Sequence, residues 1–135
     1  GDAKKLGAAH FVLTTDDSVM RSQRNSLDFI IDNVSASHDF NQYLSLLKRD
    51  GTLIVVGIPS TPATISNFAL INGRKKIGGS SIGGIKETQE MLDYCARHNI
   101  TCDVEMIPIQ KINEAYERMI KGDVKYRFVI DMATL

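Results

Sequence analysis

The sequence predicts an α/β fold built on a doubly wound parallel sheet. Segments 27–34 and 52–58 have uninterrupted apolar centres, as strands do when both faces of a sheet are covered. Between them, the apolar residues of 40–47 recur at helical spacing. A strand, a helix and a second strand within about 30 residues form a βαβ unit, whose two strands run parallel.

Composition narrows the class of protein. The chain has 135 residues, 43% of them hydrophobic, which suits one ordinary domain with its own core. Sixteen basic residues balance sixteen acidic ones, so no net field attracts nucleic acid or an anionic membrane. No apolar run approaches the roughly 20 residues of a membrane-spanning helix. The two cysteines, Cys95 and Cys102, match no C-x-x-C site. We therefore expect a reduced, cytoplasmic protein with both cysteines in its core.

The other elements of the first half follow from local signals. We expect a helix to end at Gly7, a strand over residues 10–15 and a short polar helix over 19–25. The helix of the βαβ unit should end in the basic run 48–51. Lysine and arginine suit the negative end of a helix dipole, and Gly51 can take the closing conformation.

The second half continues the sheet and then departs from it. The elements expected there are a helical turn at 68–71, a strand at 75–83, a helix at 86–98, an extended segment at 101–109, an amphipathic helix at 112–121 and a strand at 125–132. Residues 1–100 are therefore predicted to form the sheet domain. Residues 101–135, a strand, a helix and a strand, suggest a segment built to meet another domain.

The stretch KKIGGSSIGG, residues 75–84, raises the question of a phosphate-binding loop. The G-x-G-x-x-G dinucleotide fingerprint occurs nowhere in the chain. Gly79 and Gly84 have the gap of a Walker loop, but Ile85 and Lys86 follow, so the lysine is misplaced. These glycines more readily mark a bend in a strand or a close approach of another group.

A ligand crevice is expected where the strands end. In open α/β sheets ligands bind beyond the carboxyl ends of the strands, which are here residues 33–35, 57–59 and 80–83. Ordinary turns at these places remain the alternative. Asp32 could bind a ligand or hold its own loop, and Arg127 could meet a phosphate or cap a sheet edge. The three histidines are scattered and indicate surface or capping positions, so no metal site and no self-contained catalytic group are predicted.

Three runs of sequence resemble a known family. They are LLKRDGTLIVVGIP, GRKKIGGSSIGGIKETQEMLDYCARHNI and INEAYERMIKGDVKYRFVID. Together they are similar to the cinnamyl alcohol dehydrogenase branch of the zinc-dependent medium-chain alcohol dehydrogenases, and the similarity covers nearly the whole chain. The resemblance implies a partial Rossmann-like sheet that lacks its first βαβ unit. It also implies that the carboxyl-terminal strand, helix and strand pack with a catalytic domain.

The resemblance further implies an NADP(H)-dependent enzyme that interconverts primary alcohols and aldehydes of the cinnamyl type. In that family a catalytic zinc polarises the substrate oxygen while hydride passes to or from the nicotinamide. The positions that would contact the cofactor are Asn33, Gly57, Ile58, Ser80, Ser81, Ile82 and Arg127.

The family's zinc ligands and glycine fingerprint are absent from this sequence. A carboxyl-terminal fragment without activity of its own is therefore expected, and its parent's substrate and preference for NADP over NAD would be set by residues outside it. Two alternatives remain. One is a non-catalytic module that forms a homodimer through the edge strand at residues 75–83. The other is a small nucleotide sensor that uses the incomplete crevice.

Overall fold

The computed structural model describes residues 1–135. The chain divides into two compact units, Gly1–Ile82 and Gly83–Leu135. The predicted domain boundary near residue 100 stays a prediction. None of the helices is long and apolar enough to cross a membrane.

The first unit is a three-stranded parallel sheet. Its strands are β1 (Leu27–Asp32), β2 (Leu47–Val55) and β3 (Lys76–Gly79), and they lie in the order β1-β2-β3. The α/β class and the parallel sheet predicted from the sequence are confirmed. With β2 in the centre, β1 and β3 are the two edges.

Four short helices accompany this sheet: α1 (Asp2–Lys5), α2 (Asp17–Ser22), α3 (Phe40–Leu44) and α4 (Asn67–Ile71). The carboxylate of Asp16 accepts hydrogen bonds from the first amides of α2, and that of Asp39 does the same for α3. Gly7, past the end of α1, has φ +98°, a conformation that favours glycine.

The core of the first unit lies between α3 and β2. Phe40 and Leu44 of α3 pack with Leu47 and Leu53 of β2, and all four are buried. Leu44, Leu47 and Leu53 have no exposed surface. Burial of this apolar face holds a helix of five residues that could not persist by itself.

The strand predicted at residues 10–15 is not present. This segment forms no ladder with another strand, and Phe11 and Leu13 are 65% and 54% exposed. The uninterrupted apolar pattern predicted a strand covered on both faces. A strand also needs a hydrogen-bonded neighbour, and none lies beside this segment.

The basic run at residues 48–51 was predicted to end a helix and instead lies inside β2. Helix α3 ends at Leu44. In the ladder Leu27 pairs with Leu47 and Phe29 with Thr52, so β2 bulges between these pairs. Asp50 has φ +63° at the bulge, and its carboxylate accepts a hydrogen bond from Arg74 at 2.6 Å. A bulge and a helix end share the same residue types, so composition alone could not separate them.

The second unit contains α5 (Ile85–Arg97), β4 (Glu105–Pro108), α6 (Ile112–Ile120) and β5 (Phe128–Asp131), with β4 and β5 parallel. The elements expected over these residues are confirmed, with ends shifted by a few positions. Ile107 of β4 and Ala115 of α6 are buried. Arg118 of α6 reaches the carboxylates of Glu105 at 2.8 Å and Asp123 at 2.9 Å.

Candidate cofactor-binding edge

The carboxyl ends of the three parallel strands meet at one edge of the first unit. β1 ends at Asp32, β2 at Val55 and β3 at Gly79. The residues that follow these ends include six of the predicted cofactor contacts, Asn33, Gly57, Ile58, Ser80, Ser81 and Ile82. The structure therefore brings these six to a common edge.

Backbone hydrogen bonds join the three strand ends. The amides of Val56 and Gly57 both donate to the carbonyl oxygen of Asp32, at 2.9 and 3.1 Å. The amide of Ser80 donates to the carbonyl oxygen of Val55 at 3.1 Å. The edge is thus a connected piece of main chain, and a ligand placed there would meet a fixed backbone.

At Gly57 two segments of backbone lie very close together within this edge. A Cβ on Gly57 would lie 2.6 Å from the carbonyl oxygen of Val34 and 2.9 Å from the carbonyl carbon of Asn33. The resemblance implies that Gly57 contacts the cofactor, which stays a prediction. At Gly57 the close neighbour is the chain's own β1–α3 loop.

Two large apolar side chains at this edge are uncovered. Ile58 is 86% exposed and Ile82 94% exposed. Asn33, Ser80 and Ser81 are exposed beside the same strand ends. Exposed apolar side chains next to backbone donors and acceptors are groups that suit a nicotinamide ring with its carboxamide. The G-x-G-x-x-G spacing that lets backbone approach a pyrophosphate at a helix start occurs nowhere in the chain, so the residues do not fit that group in the same way.

Buried Asp32 and half-buried His38 form a pair that holds the loop behind this edge. The side chains of His38 and Asp32 are only 14% and 7% exposed, and Nε2 of His38 lies 2.7 Å from Oδ2 of Asp32. Oδ1 of Asp32 accepts a hydrogen bond from the amide of Val34 at 3.0 Å. Of the two roles open to Asp32, the structure shows that it holds its own loop. His38 is half-buried rather than on the open surface.

The electrostatics of His38 favour the charged imidazolium. Nδ1 lies 2.8 Å from the carbonyl oxygen of Ala36, and this contact is the largest influence that raises the pKa of His38. Burial opposes it, while Asp32 raises the pKa further by its hydrogen bond and charge. Sequence reasoning missed the pair because the two residues are six positions apart across a loop. The available signal was an aspartate at a strand end followed by a histidine just before an apolar helix.

The seventh predicted contact, Arg127, belongs to the second unit. It lies just before β5, and its carbonyl oxygen accepts a hydrogen bond from the amide of Glu105 at 2.9 Å. With Tyr126 and Phe128 it helps to line a mostly apolar cavity of about 270 Å³ beside α6. Its predicted role towards a phosphate stays a prediction.

No group of three or more histidine, cysteine, aspartate or glutamate side chains is arranged to hold a metal ion. Both cysteines are free. Cys95 is only half-buried and is not among the core residues, and Cys102 is exposed, so the expectation that both lie in the core was wrong. Cys102 lies in residues 101–104, an irregular segment before β4 that is exposed throughout, so no apolar neighbour covers the thiol.

Comparison with protein families identifies a match over residues 1–97 to the zinc-binding dehydrogenase model. The chain is 54% identical to a probable mannitol dehydrogenase of Medicago sativa, over 96% of this chain and 36% of the relative. It is also 54% identical to the aldehyde reductase YahK of Escherichia coli strain K12, over 98% of this chain and 38% of the relative.

Solved structures give the same result for the fold. A cinnamyl alcohol dehydrogenase of Sorghum bicolor matches with a TM-score of 0.91 and 42% identity, over 98% of this chain and 37% of that one. The cinnamyl alcohol dehydrogenase of Helicobacter pylori, complexed with NADP(H), matches with a TM-score of 0.80 and 40% identity over 98% of this chain and 38% of that one.

The chain thus spans a little over a third of the length of these relatives. The resemblance stated from the sequence, including the cinnamyl alcohol dehydrogenase branch and the partial sheet, is confirmed. With its matching family model over residues 1–97 and its parallel sheet, this chain belongs to the zinc-binding dehydrogenase family.

Proposed function

We propose that this chain forms the nicotinamide side of the cofactor site in an NADP(H)-dependent alcohol dehydrogenase or aldehyde reductase. One observation carries the proposal: the three strand ends converge and leave Ile58 and Ile82 uncovered beside exposed main chain. The complex of the Helicobacter pylori relative with NADP(H) supports the choice of cofactor.

Each residue of the edge has a role in this proposal. Ile58 and Ile82 would cover the faces and rim of the ring and keep water from it. The backbone of Ser80 and Ser81 would meet the carboxamide, and Asn33 would donate or accept beside it. Arg127 belongs to the second unit, and its role at the pyrophosphate stays a prediction of the resemblance. NADP(H), when bound, supplies the hydride chemistry between a primary alcohol and an aldehyde.

Zinc does not fit the residues of this chain, since no ligand set is present. The proposed enzyme therefore needs residues beyond these 135 for its catalytic centre, and the chain by itself should show no turnover. A substrate of the cinnamyl type and a cytoplasmic location stay predictions.

A hybrid enzyme tests the proposal. The segment of the Escherichia coli aldehyde reductase that matches this chain is replaced by residues of this chain, which are 54% identical to it. The hybrid should fold and oxidise NADPH with an aromatic aldehyde, while the 135-residue chain alone should not. Replacement of Ile82 by aspartate in the hybrid should raise the Kd for NADPH, because a charge would face the ring. A folded hybrid without NADPH binding would contradict the proposal.

A second function, homodimer formation through residues 75–83, is favoured by the position of β3. β3 is an edge of the sheet, and its outer backbone groups are available to a second copy. Light scattering over a range of concentrations should show a dimer. A monomer that persists at the highest concentration would exclude this association.

A further inference from the structure

The loop between β1 and α3 is held by a connected set of contacts around the buried Asp32 and the half-buried His38. Asp32 uses both carboxylate oxygens: Oδ1 accepts from the amide of Val34 and Oδ2 contacts Nε2 of His38. His38 then contacts the carbonyl oxygen of Ala36 through Nδ1. Every buried polar side-chain atom of the chain has a hydrogen-bond partner, so this set is complete.

The ring of His38 is fixed on its faces as well. It packs against Phe40 at 4.8 Å and, edge to face, against Tyr43 at 5.3 Å between ring centroids. These aromatic residues belong to α3, whose inner face is the core. The histidine therefore links the loop to the most deeply buried part of the first unit.

The loop is also joined to the end of β2. Gly57 lies directly under Val34, and its amide donates to the carbonyl oxygen of Asp32. Further out, the hydroxyl groups of Ser37 and Thr61 lie 2.6 Å apart. A displacement of the β1–α3 loop would therefore move the backbone that carries Asn33 and Ile58.

We propose that Asp32 and His38 are a positioning pair that holds the β1–α3 loop against Gly57, so that Asn33 and Ile58 meet the nicotinamide end of the cofactor. The inference rests on the proposed function and deepens it. Neither side chain need contact the ligand, because both act through the backbone that they hold.

The protonation state of His38 gives the proposal a distinctive readout. A carbonyl oxygen and a carboxylate can only accept, so both ring nitrogens must carry a proton for both contacts to exist. The charged or titratable groups that face the ring are Asp32 from β1, and Asp39 and Tyr43 from α3 and its start. The loop after β2, residues 56–66, contributes none. When His38 loses its proton, one of the two contacts is lost and the loop is released.

The test uses the hybrid enzyme and measures the Kd for NADPH by fluorescence titration. His38→Gln should weaken NADPH binding about tenfold, the effect of about one lost hydrogen bond to a charged group. The KM for the aldehyde should change less than about twofold. Asp32→Asn should raise the Kd for NADPH by a similar factor. The Kd of the double variant should be no higher than that of either single variant, because the two side chains act as a unit. His98→Gln, the same substitution in the second unit, is the matched control.

The pH profile gives a measurement that needs no substitution. The Kd of the unsubstituted hybrid should rise as pH increases through the titration of His38, which NMR of labelled histidine follows directly. The profile of His38→Gln should be flat over that range. If His38→Gln does not fold, the unsubstituted hybrid still tests the proposal. Its Kd for NADPH and the NMR signal of His38 should change over the same pH range.

Three outcomes are distinguishable. A hybrid that binds NADPH with the predicted losses and pH profile supports the positioning pair. If His38→Gln binds NADPH as tightly as the unsubstituted hybrid, or if the Kd is constant while His38 titrates, the pair is overturned and the proposed function stands. A folded, unsubstituted hybrid that does not bind NADPH overturns the proposed function, and the pair with it.

Discussion

The backbone just after β2 lies close against the loop after β1 at Gly57, and only a residue without a Cβ fits there. Gly57 has an ordinary backbone conformation, so its need for glycine comes from space alone, with the carbonyl oxygen of Val34 2.6 Å from the position of a Cβ. Such a contact is between two backbones and cannot be relieved by rotating a side chain. The stability of the first unit and the shape of its carboxyl edge therefore depend on the same glycine.

Gly57→Ala should lower the free energy of unfolding of the chain by about 1–3 kcal/mol, the usual cost of forcing an extra group into a packed place. Urea unfolding followed by circular dichroism measures it. Gly79→Ala is the matched control, because its Cβ would meet only the carbonyl oxygen of Val55, at an ordinary 3.7 Å. Equal losses for the two variants would contradict the steric account.

His38 makes stability depend on pH with a definite sign. Its pKa in the folded chain is raised above the unfolded value of about 6.5, chiefly by the carbonyl of Ala36 and then by Asp32. The stabilisation of the folded chain by protonated His38 is therefore complete below about pH 6.5, and it is lost as the pH rises through the raised pKa. The difference in free energy of unfolding between the unsubstituted chain and His38→Gln should be smaller at about pH 8.5 than at about pH 5.5. A difference that grows with pH would contradict the assignment.

For single residues, the strand ends could be predicted from the sequence, whereas the contact of Asp32 with His38 could not. Asn33 and Ser80 could be placed because parallel strands end at one edge. The contact of Asp32 with His38 depends on the path of the loop between them, and no periodic pattern encodes that path. Local spacing rules see neighbours along a helix or a strand and miss partners that a loop brings together.

Among the elements, one lysine, in the residue just before β3, links the start of this strand to the end of α3. Nζ of Lys75 donates to the carbonyl oxygen of Leu44, the last residue of α3, at 2.6 Å. Carbonyl groups at a helix end have no partner within the helix, and a cation there also suits the helix dipole. Burial lowers the pKa of Lys75, as expected when a charged amine leaves water.

Lys75→Met should lower the free energy of unfolding by about 1 kcal/mol or somewhat more, because it leaves the carbonyl of Leu44 without its donor. Lys76→Met is the control: Lys76 is the adjacent residue and is exposed, and it should cost less than about 0.5 kcal/mol. Chemical denaturation of both variants under the same conditions checks the difference. A loss at Lys76 as large as that at Lys75 would exclude a specific role for the helix-end contact.

The elements themselves show which patterns could be trusted. The helices α5 and α6 have long amphipathic periods, and their existence could be predicted within a few residues. Residues 10–15 have the composition of a strand without a neighbour to pair with. Residues 48–51 have the composition of a helix end and form a bulge. Both predictions were wrong for the same reason: whether a segment becomes a strand depends on a pairing strand distant in sequence. Residues 10–15 have no such strand beside them, and residues 48–51 lie in a strand that has two.

At the scale of the whole molecule, each unit exposes large apolar side chains. Ile71 and Phe68 are 75% and 73% exposed in the first unit, and Ile85 and Ile120 are 93% and 83% exposed in the second. Such surfaces mark places where other protein or a ligand packs. They support the proposal that this chain works as one part of a larger enzyme.

The family could be identified because long unbroken runs of sequence carry it, whereas the substrate pocket could not be predicted from these residues.

The most direct test of the central claim is NADPH consumption by the hybrid enzyme described above, measured by absorbance with an aromatic aldehyde and compared with the 135-residue chain at equal concentration. We expect turnover by the hybrid and none by the chain alone. Turnover by the isolated chain, or a folded hybrid that neither binds nor oxidises NADPH, would contradict the proposed function.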